Sequence, residues 1–213
     1  MAVPRVWAVI VAAGWGERFG GPKQFSDLGG ARLVDHAIAT ASAACDAVVL
    51  VVPDATDWQG AEVAALVTGG ASRAESVRAG LAVVPGTAEV VVVHDAARPL
   101  ATADLFVSVI AAVRAGADGA VPGLAVADTL KRVDDVRVTA TVDRVGLVAV
   151  QTPQAFAAGI LRAAHATRAD ATDDAALVET IGGTVVVVPG DPRNLKVTGP
   201  ADLMIAAALL EVS

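Results

Sequence analysis

The sequence predicts an α/β domain with a doubly wound, mostly parallel sheet, and three observations carry that expectation. Valine-rich runs, nearly continuous in apolar residues, recur at 6–11, 47–52, 90–93 and 184–188, as strands buried on both faces do. Amphipathic stretches of helical period separate these runs, the alternation of a βαβ architecture. The 213 residues are 54% hydrophobic and 18% charged, which suits a single domain over 1–213 with one large core.

The helical stretches can be justified in order. Residues 32–44 bury Leu33, Val34, Ala37, Ile38 and Ala41 at helical spacing. Ser72 with Glu75 three residues later is a capping box, and Val77 and Leu81 follow on the inward face. Thr102 caps a helix that uses Leu105, Phe106, Val109, Ile110 and Val113. Thr172 caps another, and Pro200 opens the last, where a missing N–H is harmless. Residues 128–144 break the rhythm: β-branched residues on both sides of Asp134 and Asp135 predict an inserted hairpin, which either covers a site, reaches a second subunit or is a plain surface excursion.

Charge and composition exclude several classes. A formal net charge of −7 argues against nucleic acid as a partner, because phosphate-backbone binding needs a basic face. The single cysteine, Cys45, permits neither an intrachain disulfide nor a Cys-rich zinc site and is expected to be a small core residue. The N-terminal apolar run is too short for a membrane span and leads into a charged loop rather than a cleavage site, so no membrane association and a cytoplasmic location are expected. The three lysines, Lys23, Lys131 and Lys196, stand against thirteen arginines, which draws attention to where a compact ammonium was kept.

In a doubly wound sheet, ligands sit beyond the carboxyl ends of the strands, which selects 12–23, 68–76, 94–99 and 191–198. The loop after the first strand, "AAGWGERFGGPKQ", is not a dinucleotide fingerprint, since Phe19 stands at the third glycine position. It is not a P-loop either, since Pro22 separates Gly21 from Lys23 and Gln24 replaces the hydroxyl. A third kind of mononucleotide loop remains, in which small residues admit the nucleotide and Arg18 and Lys23 neutralise its phosphates. Asp95 ends a buried strand, where a carboxylate can receive hydroxyls or support a phosphate-bound metal, or simply cap a helix and pair with nearby Arg98. Gly70 would admit a ligand to the backbone, Ser76 could bond a base or sugar, and Lys196 lies near the mouth of the sheet. No pair of the three histidines has metal-ligand spacing, and no nucleophile elbow is present, so cationic positioning fits better than covalent catalysis.

The stretches "AAGWGERFGGPKQ", "GGASRAESV", "HDAARP", "DTLKR", "TVDR", "QTPQAF", "TDDAALVE" and "NLKVTGPADL" together resemble the 2-C-methyl-D-erythritol 4-phosphate cytidylyltransferase family, in the family's order and over nearly the whole chain. The resemblance implies a Rossmann-like nucleotidyltransferase fold and transfer of a cytidylyl group from CTP to a polyol phosphate, with magnesium bound mainly through the CTP phosphates and no metal ligand from the protein. It implies catalytic roles for Arg18, Lys23, Arg144 and Lys196, and a CTP pocket from Ala12, Ala13, Gly14, Gly16, Gly70, Ser76 and Ala96. Asp95, Arg98, Thr129, Arg144 and Thr152 match the acceptor side. It further implies a homodimer in which the 128–144 arm carries Thr129 and Arg144 to the neighbour's site. The chain departs from the family pattern at Val11, Ala71 and Val150, none of them a charged catalytic position. Ending at Ser213, it is expected to carry no fused cyclodiphosphate synthase domain. The rival readings are a cytidylyltransferase for ribitol 5-phosphate, a non-catalytic nucleotide sensor, and a nicotinamide dehydrogenase using Asp54.

Overall fold

A computed structural model describes residues 5–16, 19–169 and 171–212. Strand β1 (Val6–Val11) leads through a 3₁₀ turn at Lys23–Phe25 to the short strands β2 (Asp27–Leu28) and β3 (Ala31–Arg32) and helix α1 (Leu33–Ala44). There follow β4 (Ala47–Val52), β5 (Ala65–Thr68), α2 (Arg73–Val83), β6 (Val90–Asp95), α3 (Ala103–Arg114) and β7 (Gly119–Ala125). The arm strands β8 (Leu130–Asp134) and β9 (Arg137–Val142) precede β10 (Val148–Val150) and β11 (Gln154–Ala157). Helices α4 (Ala158–Ala166) and α5 (Asp174–Thr180), strand β12 (Val185–Pro189) and helix α6 (Pro200–Glu211) complete the chain.

The main sheet has eight strands in the order β10-β7-β11-β6-β1-β4-β5, with β12 paired to β7. Strand β1 runs parallel to both neighbours, β4 and β6. The mixed character comes from β10 and β11, which run antiparallel to their partners. Side chains alternate across β1: Ala8 and Ile10 join a core with Val34, Ile38, Phe106 and Val109 from α1 and α3. Val9 points the other way, into a core with Val77, Leu161 and Val178 from α2, α4 and α5. Two cores, one per face, account for the unbroken apolar reading of the strands. Gly80 lets α2 lie close on the sheet, because a Cβ there would stand 2.5 Å from a methyl of Val9.

The expected caps on α2 and α3 are present. Ser72 Oγ accepts from the Glu75 N–H and Thr102 Oγ1 from the Leu105 N–H. Helix α5 corrects the sequence reading: its N-cap is Asp173, whose carboxylate accepts from the Ala176 N–H, rather than Thr172. A charged acceptor at the positive end of the helix outcompetes the neighbouring hydroxyl. Strand β6 also runs two residues beyond the expected 90–93, because His94 and Asp95 continue the ladder opposite Ile10 and Val11. The last strand lies one residue later than 184–188. Cys45 ends α1 half-buried against the core, its thiol pushed up to about 12 by burial and then by the Asp46 charge.

Residues 128–144 do contain an antiparallel hairpin, β8 with β9, standing as a separate two-stranded sheet. Val133, Val136 and Val138 on it are exposed, Val136 at 91%.

Candidate active site

The loop after β1 is shaped from within. The Ala12 N–H extends the β1–β4 ladder to the Val51 carbonyl. Gln24, almost fully buried, then donates from Nε2 to the carbonyls of Ala12 at 2.6 Å and Gly14 at 3.1 Å, pinning the loop's entry to its exit. Gly16 adopts φ +66°, and its carbonyl accepts from the N–H groups of Phe19, Gly20 and Gly21. A Cβ at Gly16 would lie 1.9 Å from the Gly21 carbonyl oxygen, so the turn excludes any side chain. The turn delivers Lys23 to the start of the 3₁₀ segment, beside a hollow of about 250 Å³ lined by Phe19, Gly20, Gly21, Pro22 and Lys23. Arg18, the second cation expected here, lies outside the described residues.

Beside this loop, Gly69 and Gly70 let β5 pass into α2. A Cβ on Gly69 would meet Ala13 Cβ at 2.3 Å, and one on Gly70 would meet Glu75 Cβ at 2.3 Å. The buried Ser76 hydroxyl donates to the Ser72 carbonyl and accepts from the Gly70 N–H, fixing the shape of the β5–α2 turn that packs against Ala13. Ala96 is fully buried next to it, its N–H given to the Val11 carbonyl. Ala12, Ala13, Gly14, Gly16, Gly70, Ser76 and Ala96 therefore come together at the carboxyl ends of β1, β5 and β6.

Asp95 occupies the centre. One carboxylate oxygen accepts from Arg73 Nε at 3.0 Å and the other from Lys196 Nζ at 2.6 Å, so its partners are not the nearby Arg98. Burial alone would raise its pKa; the Arg73 and Lys196 charges overcome that and hold the carboxyl well below the usual carboxylate range. Arg73 in turn donates from Nη1 to Asp174 at 2.8 Å, and the other Asp174 oxygen lies 2.9 Å from His165 Nε2. Burial opposes the charge on Arg73, but two carboxylates keep its pKa raised.

Thr152 and His94 brace the other side. Thr152 Oγ1 accepts from the Asp95 N–H, and its one proton goes to His94 Nδ1 at 3.1 Å. That donation places the imidazole proton on Nε2, which donates to the Arg98 carbonyl. Complete burial lowers the His94 pKa to about 4, despite the Asp95 charge, which works to raise it. Arg98 Nη1 donates to the Asn194 carbonyl, Asn194 Nδ2 to the Thr152 carbonyl, and the Val197 N–H to the Ala97 carbonyl. These bonds stitch the 194–198 segment to the end of β6 and so deliver Lys196 to Asp95. Arg144 and Thr129 stay apart from this cluster: both are exposed on the arm, and Arg144 Nη1 donates to the carbonyls of Val126 and Ala127.

Sequence reading missed Gln24, Arg73 and Asp174 as working parts, whereas a structural place for His94 was expected. Arg73 and Asp174 lie within quoted motifs, yet an arginine at a helix start reads as solvated surface, and its partner is 101 residues away.

The family model for 2-C-methyl-D-erythritol 4-phosphate cytidylyltransferase matches residues 6–212. The chain belongs to this family. A cytidylyltransferase of that name from Nocardia farcinica is 45% identical, over 97% of this chain and 94% of its own. A bifunctional IspD/IspF enzyme from Clavibacter michiganensis is also 45% identical over 97% of this chain, which spans only 55% of that longer protein. Among solved structures, the cytidylyltransferase from Thermus thermophilus superposes with a TM-score of 0.85 at 33% identity, covering 97% of this chain and 99% of that one. The fold is thus the nucleotidyltransferase fold of the family, and the Asp95 cluster sits at the strand ends where such folds place their ligands.

The His94 environment sets a pH dependence. Its folded pKa of about 4 lies below the ordinary 6.5, so the unfolded chain binds the extra proton first. Stability from this group is complete above pH 6.5 and is lost as pH falls toward 4, at about 1.4 kcal/mol per pH unit. Urea unfolding of wild type against His94→Gln over this window should show the wild type losing its margin as pH falls. Parallel pH profiles would contradict the buried neutral imidazole.

Proposed function

We propose that this site transfers a cytidylyl group from CTP to 2-C-methyl-D-erythritol 4-phosphate, giving 4-diphosphocytidyl-2-C-methyl-D-erythritol and pyrophosphate. The observation that carries the reading is the Lys196–Asp95 contact at the end of β6, next to the end of β1 from which the glycine-built loop with Lys23 departs, in a chain of this family. An oxygen of the acceptor phosphate attacks the α-phosphorus of CTP, and the bond from that phosphorus to the bridging oxygen of pyrophosphate breaks. No proton need move at the reacting atoms, so the protein's task is alignment and charge neutralisation.

Backbone N–H groups of the first loop and the Lys23 ammonium suit triphosphate oxygens. Gly70 and Ser76 face the nucleoside. Lys196 rests on Asp95 in the unliganded chain. An arriving phosphate draws that ammonium onto itself, and the freed Asp95 oxygen then accepts a hydroxyl of ribose or polyol. Arg98 and Thr152 hold the segments that carry these groups. The donors lining the loop are N–H groups and a cation, which fit phosphate rather than metal. Magnesium is therefore proposed to ride on the triphosphate, where it would neutralise charge that the protein's cations leave. Among the described residues no helix is long and apolar enough to cross a membrane. Action on small molecules in the cytoplasm, without nucleic acid or membrane, accords with that and with the net charge of −7.

The functional unit is proposed to be a homodimer. The arm leaves Val133, Val136 and Val138 in solvent, a row of apolar side chains that a second copy would cover. The same arm would carry Thr129 and Arg144 to the partner's acceptor phosphate.

Pyrophosphate release from CTP and magnesium should occur with methylerythritol phosphate and not with ribitol 5-phosphate. The reverse preference would overturn the acceptor assignment. Lys23→Ala should lower kcat by about 10²-fold or more with the circular dichroism spectrum unchanged; near-wild-type turnover would remove Lys23 from the mechanism.

The shared arm makes a separate prediction. Lys23→Ala and Arg144→Ala, each nearly inactive alone, should recover up to about a quarter of wild-type activity per site when mixed and allowed to exchange, because half of the sites in a mixed dimer hold both wild-type residues. No recovery despite proven exchange would place Arg144 in its own subunit's site.

A further inference from the structure

A second cavity lies away from the catalytic face, between α2 and α4, with a volume of about 330 Å³. Arg78, Arg162 and His165 line it over a floor that includes Leu81, Val84 and Ala166. No carboxylate belongs to the lining, although the chain carries seven more acidic than basic side chains. The polar groups there are incompletely engaged. Arg78 Nη1 is buried with no hydrogen-bond acceptor, and His165, only 3% exposed, has no partner at Nδ1. Arg162 is fixed in place by donating Nη2 to the carbonyls of Val84 and Pro85, both at 3.0 Å, which leaves the rest of its guanidinium for other use. Buried donors without acceptors are costly, so a cationic cluster of this kind is suited to an anion.

We propose that this cavity binds a phosphate monoester carrying a short apolar group, and that its occupancy is felt at the catalytic carboxylate. Arg78 and Arg162 supply the positive charge and planar donors that phosphate oxygens take. The Leu81, Val84 and Ala166 side chains receive the apolar group. His165 favours phosphate over carboxylate: with Nε2 committed to Asp174, a single proton is shared between Nδ1 and a phosphate oxygen, and a carboxylate at neutral pH has no such proton to bring. Behind His165 runs an unbroken line of polar contacts, His165 to Asp174 at 2.9 Å, Asp174 to Arg73 at 2.8 Å and Arg73 to Asp95 at 3.0 Å. A ligand that alters the hold of His165 on Asp174 therefore alters the hold of Arg73 on Asp95, the partner of Lys196. The cavity opens apart from the catalytic cleft, and of its lining residues only His165 is tied to the Asp95 cluster, through Asp174.

The test is a methyl NMR titration with butyl phosphate, inorganic phosphate and butyrate, followed by kinetics. Butyl phosphate should shift the methyl signals of Ala82 and Ala166, inorganic phosphate should do so more weakly, and butyrate should not. Arg78→Leu should weaken butyl phosphate binding at least tenfold while leaving turnover without it within twofold of wild type, and Arg78→Lys should restore part of the binding, showing that charge rather than folding was lost. Saturating butyl phosphate should change KM for the acceptor at least twofold in wild type and not in Arg78→Leu. Shifts confined to Ala12, Ala13 and Ala96 would mean that the probe binds only in the catalytic cleft, and would overturn the proposal. Absence of shifts at Ala82 and Ala166 up to about 10 mM would overturn it as well. Binding there with an unaltered acceptor KM would refute the link to Asp95.

Discussion

The site hangs on one buried carboxylate. Asp95 ends β6, beside the central strand, where burial alone would raise its pKa. Arg73 and Lys196 keep it ionised, and each arrives from a different part of the chain: α2 on one side, the late 194–198 segment on the other. The carboxylate thus does two jobs. It fixes where three segments meet, and it holds in place an ammonium that the proposed transfer uses. Removing either partner would leave the buried carboxylate only half compensated, which weakens the whole cluster.

Hydrogen bonds around this centre explain why so many polar residues are buried at the end of a valine-rich strand. The Thr152 hydroxyl reads both Asp95 and His94, His94 reads the Arg98 carbonyl, and Arg98 and Asn194 return the chain to Lys196. The first loop is built on the same plan, with buried Gln24, at the position after the lysine where a P-loop has its magnesium-binding hydroxyl, serving as an internal brace. Loop shape is therefore set by protein contacts before any nucleotide arrives, as suits catalysis by alignment.

Much of this was legible in the sequence, for identifiable reasons. Strands β1, β4 and β6 announced themselves because burial on both faces leaves no polar period to confuse the reading, and β12 did so through its run of four valines although Val187 is exposed. Strands β7 and β11 did not: Pro122 and two glycines interrupt one, and the other is four residues long after a proline. Capping chemistry placed α2 and α3 well, and misplaced the start of α5 by one residue because Thr172 and Asp173 both qualify. Asp95 and Lys196 were marked by their places at the strand ends and Thr152 by family resemblance, and the fold brings all three together. Arg73 and Asp174 escaped notice because their meaning lies in contacts between distant segments, which no local pattern encodes. The arm was visible as a hairpin, but within a single chain Thr129 and Arg144 lie apart from the Asp95 cluster.

The central claim is that Asp95, held by Arg73 and Lys196, organises the acceptor side of a cytidylyl transfer. Steady-state kinetics of Asp95→Asn, varying CTP and methylerythritol phosphate in turn, tests it most directly. Loss of the charge that orders Lys196 should lower kcat/KM for the acceptor by about 10²-fold or more, with KM for CTP changed far less. Near-wild-type acceptor kinetics in a folded Asp95→Asn protein would contradict the account.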